Sequence, residues 1–203
     1  MSRAGLWSST YDGEMPRSGR SAQTIRSEPF FTIGHSTRTL AEFIDLLAAS
    51  SIQVVADVRR LPGSTRYPQF DQDALTGSLD ESGIGYWHAE GLTGRRPVSQ
   101  DVPVDVNGWW ENRSFHNYAD HALSDEFADA LTGLRGRGQD SRVALMCSEA
   151  VWWRCHRRII ADHLLARGED VWHILGAGHV DAAHLSAGAV VGPQNQVTYP
   201  AAT

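Results

Sequence analysis

Lysine is absent from the 203 residues, so all 18 basic side chains are arginine. That absence excludes a lysine Schiff base and a P-loop lysine, and leaves arginine, histidine and backbone amides to hold any anion. Cysteine occurs only twice, too rarely for a disulfide scaffold; a close pair in a reducing compartment points to thiol chemistry, metal or redox sensing. No apolar run approaches the roughly 18 residues of a membrane span, and the N-terminus lacks a signal peptide's hydrophobic centre. A cytoplasmic protein with no membrane partner is expected. Net positive charge is also missing: the formal charge is -6 and the pI is near 5.8. This argues against a general nucleic-acid coat, while a local basic patch stays open.

What is present is an ordinary globular composition, 41% hydrophobic and 21% charged, with enough length for one sizeable core. Residues 1–28 are rich in Ser, Gly and Arg without an apolar period and read as a mobile leader. Residues 187–203 read as an irregular tail, in which Val190 and Val191 are able to dock. The folded body is then residues 29–186.

Within it, Phe30 to Ile33 reads as a buried strand. Thr39 and Glu42 form a capping box for a helix over about 40–49, with Leu40, Phe43, Ile44 and Leu47 at helical spacing. Residues 52–58 are an apolar β-branched strand of the doubly buried, parallel type. Asp71 caps a helix over about 72–82 that Gly83 stops, and 84–88 is a third strand. Residues 89–117, with many Gly, Pro and Trp and no period, predict a long loop able to act as a lid. Ser124 caps the next helix, 142–146 is the fourth strand, 153–167 a helix, and 171–175 the fifth strand. Alternating strands and helices predict an α/β fold: one mainly parallel sheet with helices on both faces, a Rossmann-like three-layer arrangement. Ligands of such sheets gather beyond the carboxyl ends of the strands, where His35, Ser36, Thr37, Asp57, Arg59, His88, Cys147 and Glu149 are expected to converge.

The chemistry concentrates in residues 143–165. Both cysteines lie there, with Glu149, His156 and three arginines. Cys155 and His156 are read in the first turn of a helix, where unpaired amides favour a thiolate and Arg154, Arg157 and Arg158 add positive charge. Glu149 would orient His156 or accept a proton, giving a Cys/His/Glu nucleophile constellation with Cys147 nearby. Adjacent helical residues point about 100° apart, however, so Cys155 and His156 cannot simply face each other. His35 is a candidate anion ligand with Ser36 and Thr37, whose hydroxyls also suit plain helix capping. Asp57 and Arg59 form either a structural ion pair or a phosphate grip in which Asp57 fixes a base, ribose or water. Arg154, Arg157 and Arg158 oppose the dipole at a helix start, a conflict that a bound anion would resolve. The paired tryptophans at 109–110 and 152–153 suit packing under loops better than base stacking.

Taken in order, Thr32-Ile33-Gly34-His35-Ser36, Asp57-Val58-Arg59 with Pro62 and Ser64, Gly83-Ile84 with Tyr86, Phe115 with Tyr118-Ala119, Leu145-Met146-Cys147-Ser148-Glu149, and Cys155-His156-Arg157-Arg158 resemble the domain of unknown function 488 family. The resemblance spans about residues 30–186. It implies a soluble bacterial protein and carries no settled activity. Trp152 and Trp153 depart from the small or polar residues expected between the two cysteine motifs.

Three functions fit these residues. One is an enzyme acting on a phosphate-bearing small molecule, nucleotide or nucleic-acid component, with Cys155, His156, Glu149 and Cys147 as chemistry and His35, Ser36, Thr37, Asp57, Arg59, Arg154, Arg157 and Arg158 as substrate ligands. The second is a metal site of Cys147, Cys155 and His156 or His35, although Cys-x7-Cys-His is unlike a structural zinc knuckle. The third is a module that binds nucleotide, nucleic acid or a partner without turnover. The sequence names no cofactor.

Overall fold

The computed structural model describes residues 27–63 and 65–201. Nearly all of the expected leader, and Ser64, lie outside them. In chain order the elements are β1 (Phe30–Gly34), α1 (Leu40–Ala49), β2 (Val54–Asp57), α2 (Gln72–Glu81), β3 (Gly85–His88), α3 (Arg113–His121), α4 (Asp125–Arg137), β4 (Val143–Cys147), α5 (Arg157–Leu165), β5 (Val171–Gly176), β6 (His179–Ala182), β7 (Val190–Val191) and β8 (Val197–Thr198).

Local signals place several of these. Thr39 caps α1, accepting from the Glu42 amide at 3.2 Å while the Glu42 carboxylate accepts from the Thr39 amide at 2.8 Å, a motif worth about 1 kcal/mol. Asp71 caps α2 and Ser124 caps α4. Gly83, at φ 72°, ends α2 where the chain must turn left-handed.

The six-stranded sheet runs β3-β2-β4-β1-β5-β6, parallel except for β6 on β5. Side chains alternate across it, as the two-residue period of a strand requires. Phe31, Ile33, Val55, Ala144 and Met146 face a core completed by α1 and α2. Phe30, Ala56, Val58, Val143 and Leu145 face a second core completed by α3, α4 and α5. The chain is thus a single α/β domain with a mixed, mostly parallel sheet and helices on both faces. The neighbours β2 and β4 continue toward opposite ends of the sheet, through α2 on one face and α5 on the other. This reversal opens a crevice at their carboxyl ends.

Three expectations change. Residues 89–117 are not one loop, because Asn112 caps α3, accepting from the Ser114 amide at 2.9 Å. The helix expected over 153–167 is shorter: a 3-10 turn covers Trp152–Arg154, Cys155 is extended at φ -128° and ψ 145°, and α5 starts at Arg157. The hairpin that adds β6, turning at Ala177 and Gly178, was not foreseen. Residues 187–201 are irregular apart from the β7–β8 pair and a 3-10 turn at Pro193–Asn195, with Tyr199 fully buried. No helix among the described residues is long and apolar enough to cross a membrane.

Candidate functional site

The crevice is built from three strand ends. Beyond β1, the His35 amide donates to the Cys147 carbonyl at 2.9 Å and the Ser36 amide to the Ser148 carbonyl at 3.1 Å. This keeps β1 and β4 paired past their formal ends. A β-carbon on Gly34 would lie 1.9 Å from the Glu149 carbonyl oxygen, so only glycine lets the 148–150 loop cross there. Beyond β2, the Val58 carbonyl accepts from the Gly94 amide at 3.3 Å and from His156 Nε2 at 3.0 Å.

That second bond fixes the imidazole. A carbonyl can only accept, so Nε2 carries the hydrogen, and in the neutral ring Nδ1 holds a lone pair. Nδ1 lies 3.7 Å from Cys155 Sγ. Both sulfurs and a His156 ring nitrogen lie within 4.8 Å of one another, the two cysteines buried and His156 half-buried. Cys155 and His156 meet despite being adjacent because Cys155 is extended and His156 is only the residue preceding the helix; the 100° rule of a continuous helix does not apply. Gly94 packs against the ring, since a β-carbon there would stand 2.8 Å from Nδ1.

Arg157, only 1% exposed, clamps the cluster. Its Nε donates to Cys155 Sγ at 3.2 Å and its Nη2 to the Glu149 carbonyl at 2.6 Å. Burial opposes a thiolate at Cys155, but a hydrogen bond from Cys147 and the Arg157 charge outweigh it and bring the Cys155 thiol down to about 6. The Cys147 thiol, held as donor to Cys155 and buried, is pushed up to about 12. The pair therefore carries one negative charge, centred on Cys155, which is the species that attacks an electrophile or ligates a metal.

These groups open onto a cavity of about 590 Å³. His35, Ser36, Thr37, Arg59, Arg154 and Glu149 line it with the cluster. His35 donates from Nδ1 to the Ser36 carbonyl at 3.1 Å and stacks on Phe70 at 4.2 Å; burial and then Arg59 lower it to about 4, so it is neutral near pH 7. Glu149 enters through its carbonyl, its side chain being exposed, and Val58 is the partner that orients His156. Asp57 is turned inward: fully buried, it accepts from Arg59 Nη2 at 2.6 Å and from the Tyr86 hydroxyl at 2.8 Å. Burial and this carboxylate hold the Tyr86 phenol above its ordinary value. Arg59 Nη1 donates to the Phe70 carbonyl at 2.7 Å. The Asp57–Arg59 pair thus ties β2 to the following loop. Arg158 points elsewhere, donating to Ser186 Oγ at 2.7 Å beside Trp109, Trp110 and Trp152. The tryptophans pack internally, with Trp110 on Phe115 and Trp152 on His173.

The cavity also holds residues that sequence reasoning missed: Arg60, Arg95, Tyr67, Ser114 and Gly94. Arg60 was legible as the second residue of the arginine pair after β2. Nothing in the sequence brings residues 94–95 or 114 to this rim.

The family model for "Domain of unknown function DUF488" matches residues 39–164, and the chain belongs to that family. No curated protein and no solved structure matches it.

Proposed function

We propose that Cys147, Cys155 and His156 form a metal site, for zinc or iron, at the floor of a cleft that takes a phosphate-bearing ligand. The observation that carries this is the fixed imidazole: Nε2 is committed to the Val58 carbonyl, so a neutral His156 offers Nδ1 beside Cys155 Sγ at 3.7 Å. Sulfur and nitrogen ligands at a tetrahedral zinc, with bonds of about 2.3 and 2.0 Å, stand about 3.5 Å apart. The backbone carbonyl on the far ring nitrogen is the outer-shell partner that metal-ligating histidines commonly have. Arg157 on Cys155 Sγ favours the thiolate that ligation requires. Three protein ligands leave a fourth position toward the cleft, and a bound zinc ion there supplies a Lewis acid for a ligand oxygen. The test is metal content per chain of untagged protein purified anaerobically, beside Cys155→Ala. About one zinc or iron, lost in the variant, is expected. Metal-free protein that also fails to take up zinc stoichiometrically would remove the reading.

A second reading is favoured by the Cys155 thiol near 6. Metal-free Cys155, held as the thiolate by Arg157 Nε and Cys147, then attacks the substrate phosphorus, forming a phosphorus–sulfur bond as the bond to the leaving oxygen breaks and that oxygen takes a proton from solvent. Rapid single-site alkylation of Cys155 at pH 7 in metal-free protein supports it, and alkylation at the rate of an ordinary thiol counts against it.

A further inference from the structure

We infer that Arg60, Arg95 and Arg154 form a subsite for the phosphate group of the cleft's ligand. The inference rests on the reading of the cleft as a ligand site, and assigns the group recognised and the side chains that recognise it. Three features of the fold carry it.

The first is which arginines are idle. Among the described residues ten of the fourteen arginines have work inside the protein. Arg59, Arg96, Arg135 and Arg142 pair with carboxylates. Arg38, Arg157 and Arg167 donate to carbonyls, and Arg158 to a serine hydroxyl. Arg66 and Arg137 lie over Tyr67 and Trp87. The side chains of Arg60, Arg95, Arg113 and Arg154 have no hydrogen bond, ion pair or ring partner among the described residues, and three of these four line the crevice cavity.

The second is charge. Among the described residues Glu149 is the sole acidic one lining the cavity, and it is exposed. A chain of formal charge -6 thus concentrates uncompensated positive charge at one concave site, where the low-dielectric walls focus its field. The third is backbone strain. Ser36 at φ 50° and Arg95 at φ 57° both line the cavity, and a bulky residue held left-handed costs about 1 kcal/mol or more. Arg95 adopts that conformation immediately after Gly94, which is packed against His156, so the strained turn brings an exposed arginine to the cavity lining beside the His156 ring. The hydroxyls of Ser36, Thr37 and Ser114 line the same cavity. Several guanidiniums plus hydroxyls match a tetrahedral oxyanion with three terminal oxygens better than a planar carboxylate with two.

The experiment is calorimetric titration with inorganic phosphate, and with acetate as control, on metal-free and zinc-loaded protein. Wild type, Arg60→Gln, Arg95→Gln, Arg154→Gln, the Cys147→Ser/Cys155→Ser double variant, and Arg113→Gln are compared. Phosphate binding that prefers phosphate to acetate, weakens about tenfold or more in each of the three cavity variants, and survives in Arg113→Gln supports the subsite. Persistence of that pattern in the double cysteine variant supports it even if the metal reading fails. Absence of phosphate binding in both forms of wild type overturns it. Binding that needs zinc, disappears with the cysteines and ignores the arginines also overturns it, making phosphate a ligand of the metal alone.

Discussion

Removing the Arg157 side chain should raise the pH at which Cys155 ionises by an amount the geometry sets. Arg157 Nε lies 3.2 Å from the sulfur, and both residues are almost fully buried. A hydrogen bond to a charged group is worth about 1.5–3 kcal/mol, and one pKa unit corresponds to about 1.4 kcal/mol. Arg157→Met should therefore move the Cys155 midpoint from about 6 up by about 1–2 units. Arg157→Lys should fall between, because an ammonium keeps the charge and loses the fork that also reaches the Glu149 carbonyl. The assay is thiolate absorbance near 240 nm and the initial rate of iodoacetamide alkylation from pH 4 to 10, on chelator-treated protein, with circular dichroism to check folding. Cys147, held up to about 12, stays silent below pH 10, so one transition is expected in this range. The same pair sets a stability profile. Cys155 ionises in the folded chain at about 6, against 9.0 for an ordinary cysteine. The unfolded chain thus binds the extra proton from pH 6 to 9, and stability rises with pH across that window. Cys147 reverses the sign from 9 to 12, where the unfolded chain is the one that has lost its proton. A wild-type midpoint at the ordinary thiol value, or one that Arg157→Met leaves in place, would refute this reasoning.

Gly94→Ala puts a methyl 2.8 Å from His156 Nδ1 and 2.9 Å from Cε1; the ring must shift by several tenths of an ångström, at a stability cost of about 1–3 kcal/mol, and zinc affinity should drop at least tenfold while the arginine rim still binds phosphate. Acid should destabilise the fold early. Burial holds His35 and His173 at about 4 and His163 at about 3, against 6.5 when exposed, so the unfolded chain binds more protons between about pH 4 and 6.5, and the melting temperature should fall through that range and be flatter just above it. Tyr199→Phe removes the 2.8 Å hydrogen bond to Asp162, which is fully buried and keeps the Ser186 amide at 2.9 Å; urea unfolding should show a loss of about 1–3 kcal/mol, and a loss below about 0.5 kcal/mol would mean that water replaces the phenol.

The parts of the fold legible in the sequence were those where local chemistry and tertiary packing agree. Thr39 with Glu42, Asp71 and Ser124 each cap the helix they announce, and the apolar runs of β1, β2 and β4 are buried on both faces as parallel strands require. Helix α3 was missed although Phe115, Tyr118, Ala119 and Ala122 stand at helical spacing behind Asn112. Its apolar stripe is short, and the neighbouring Gly, Pro and Trp residues masked it. Strand β6 had no signal to offer: all four of its residues are exposed, so no burial pattern marks an edge strand that depends on pairing with β5.

The cluster was legible as a set of residue types, and its geometry was not, because three backbone facts create it. Cys155 leaves helical conformation, which lets neighbouring side chains face one another. Val58 contributes a carbonyl from just beyond β2, nearly a hundred residues away, and no side-chain pattern announces a carbonyl. Gly34 and Gly94 act by what they lack, one letting the Glu149 carbonyl cross β1 and the other letting the imidazole lie flat. The same cause separates the arginines. Arg59, Arg154, Arg157 and Arg158 all looked like ligand-binding residues, yet Asp57 consumes Arg59 and Ser186 takes Arg158, while Arg157 is turned onto Cys155 and the Glu149 carbonyl. The Arg154 guanidinium has no partner among the described residues, and Arg60 and Arg95 join it from loops whose positions only the fold determines. Charge near a motif therefore marks the neighbourhood of a site, and the bonds that satisfy each guanidinium decide which ones face a ligand.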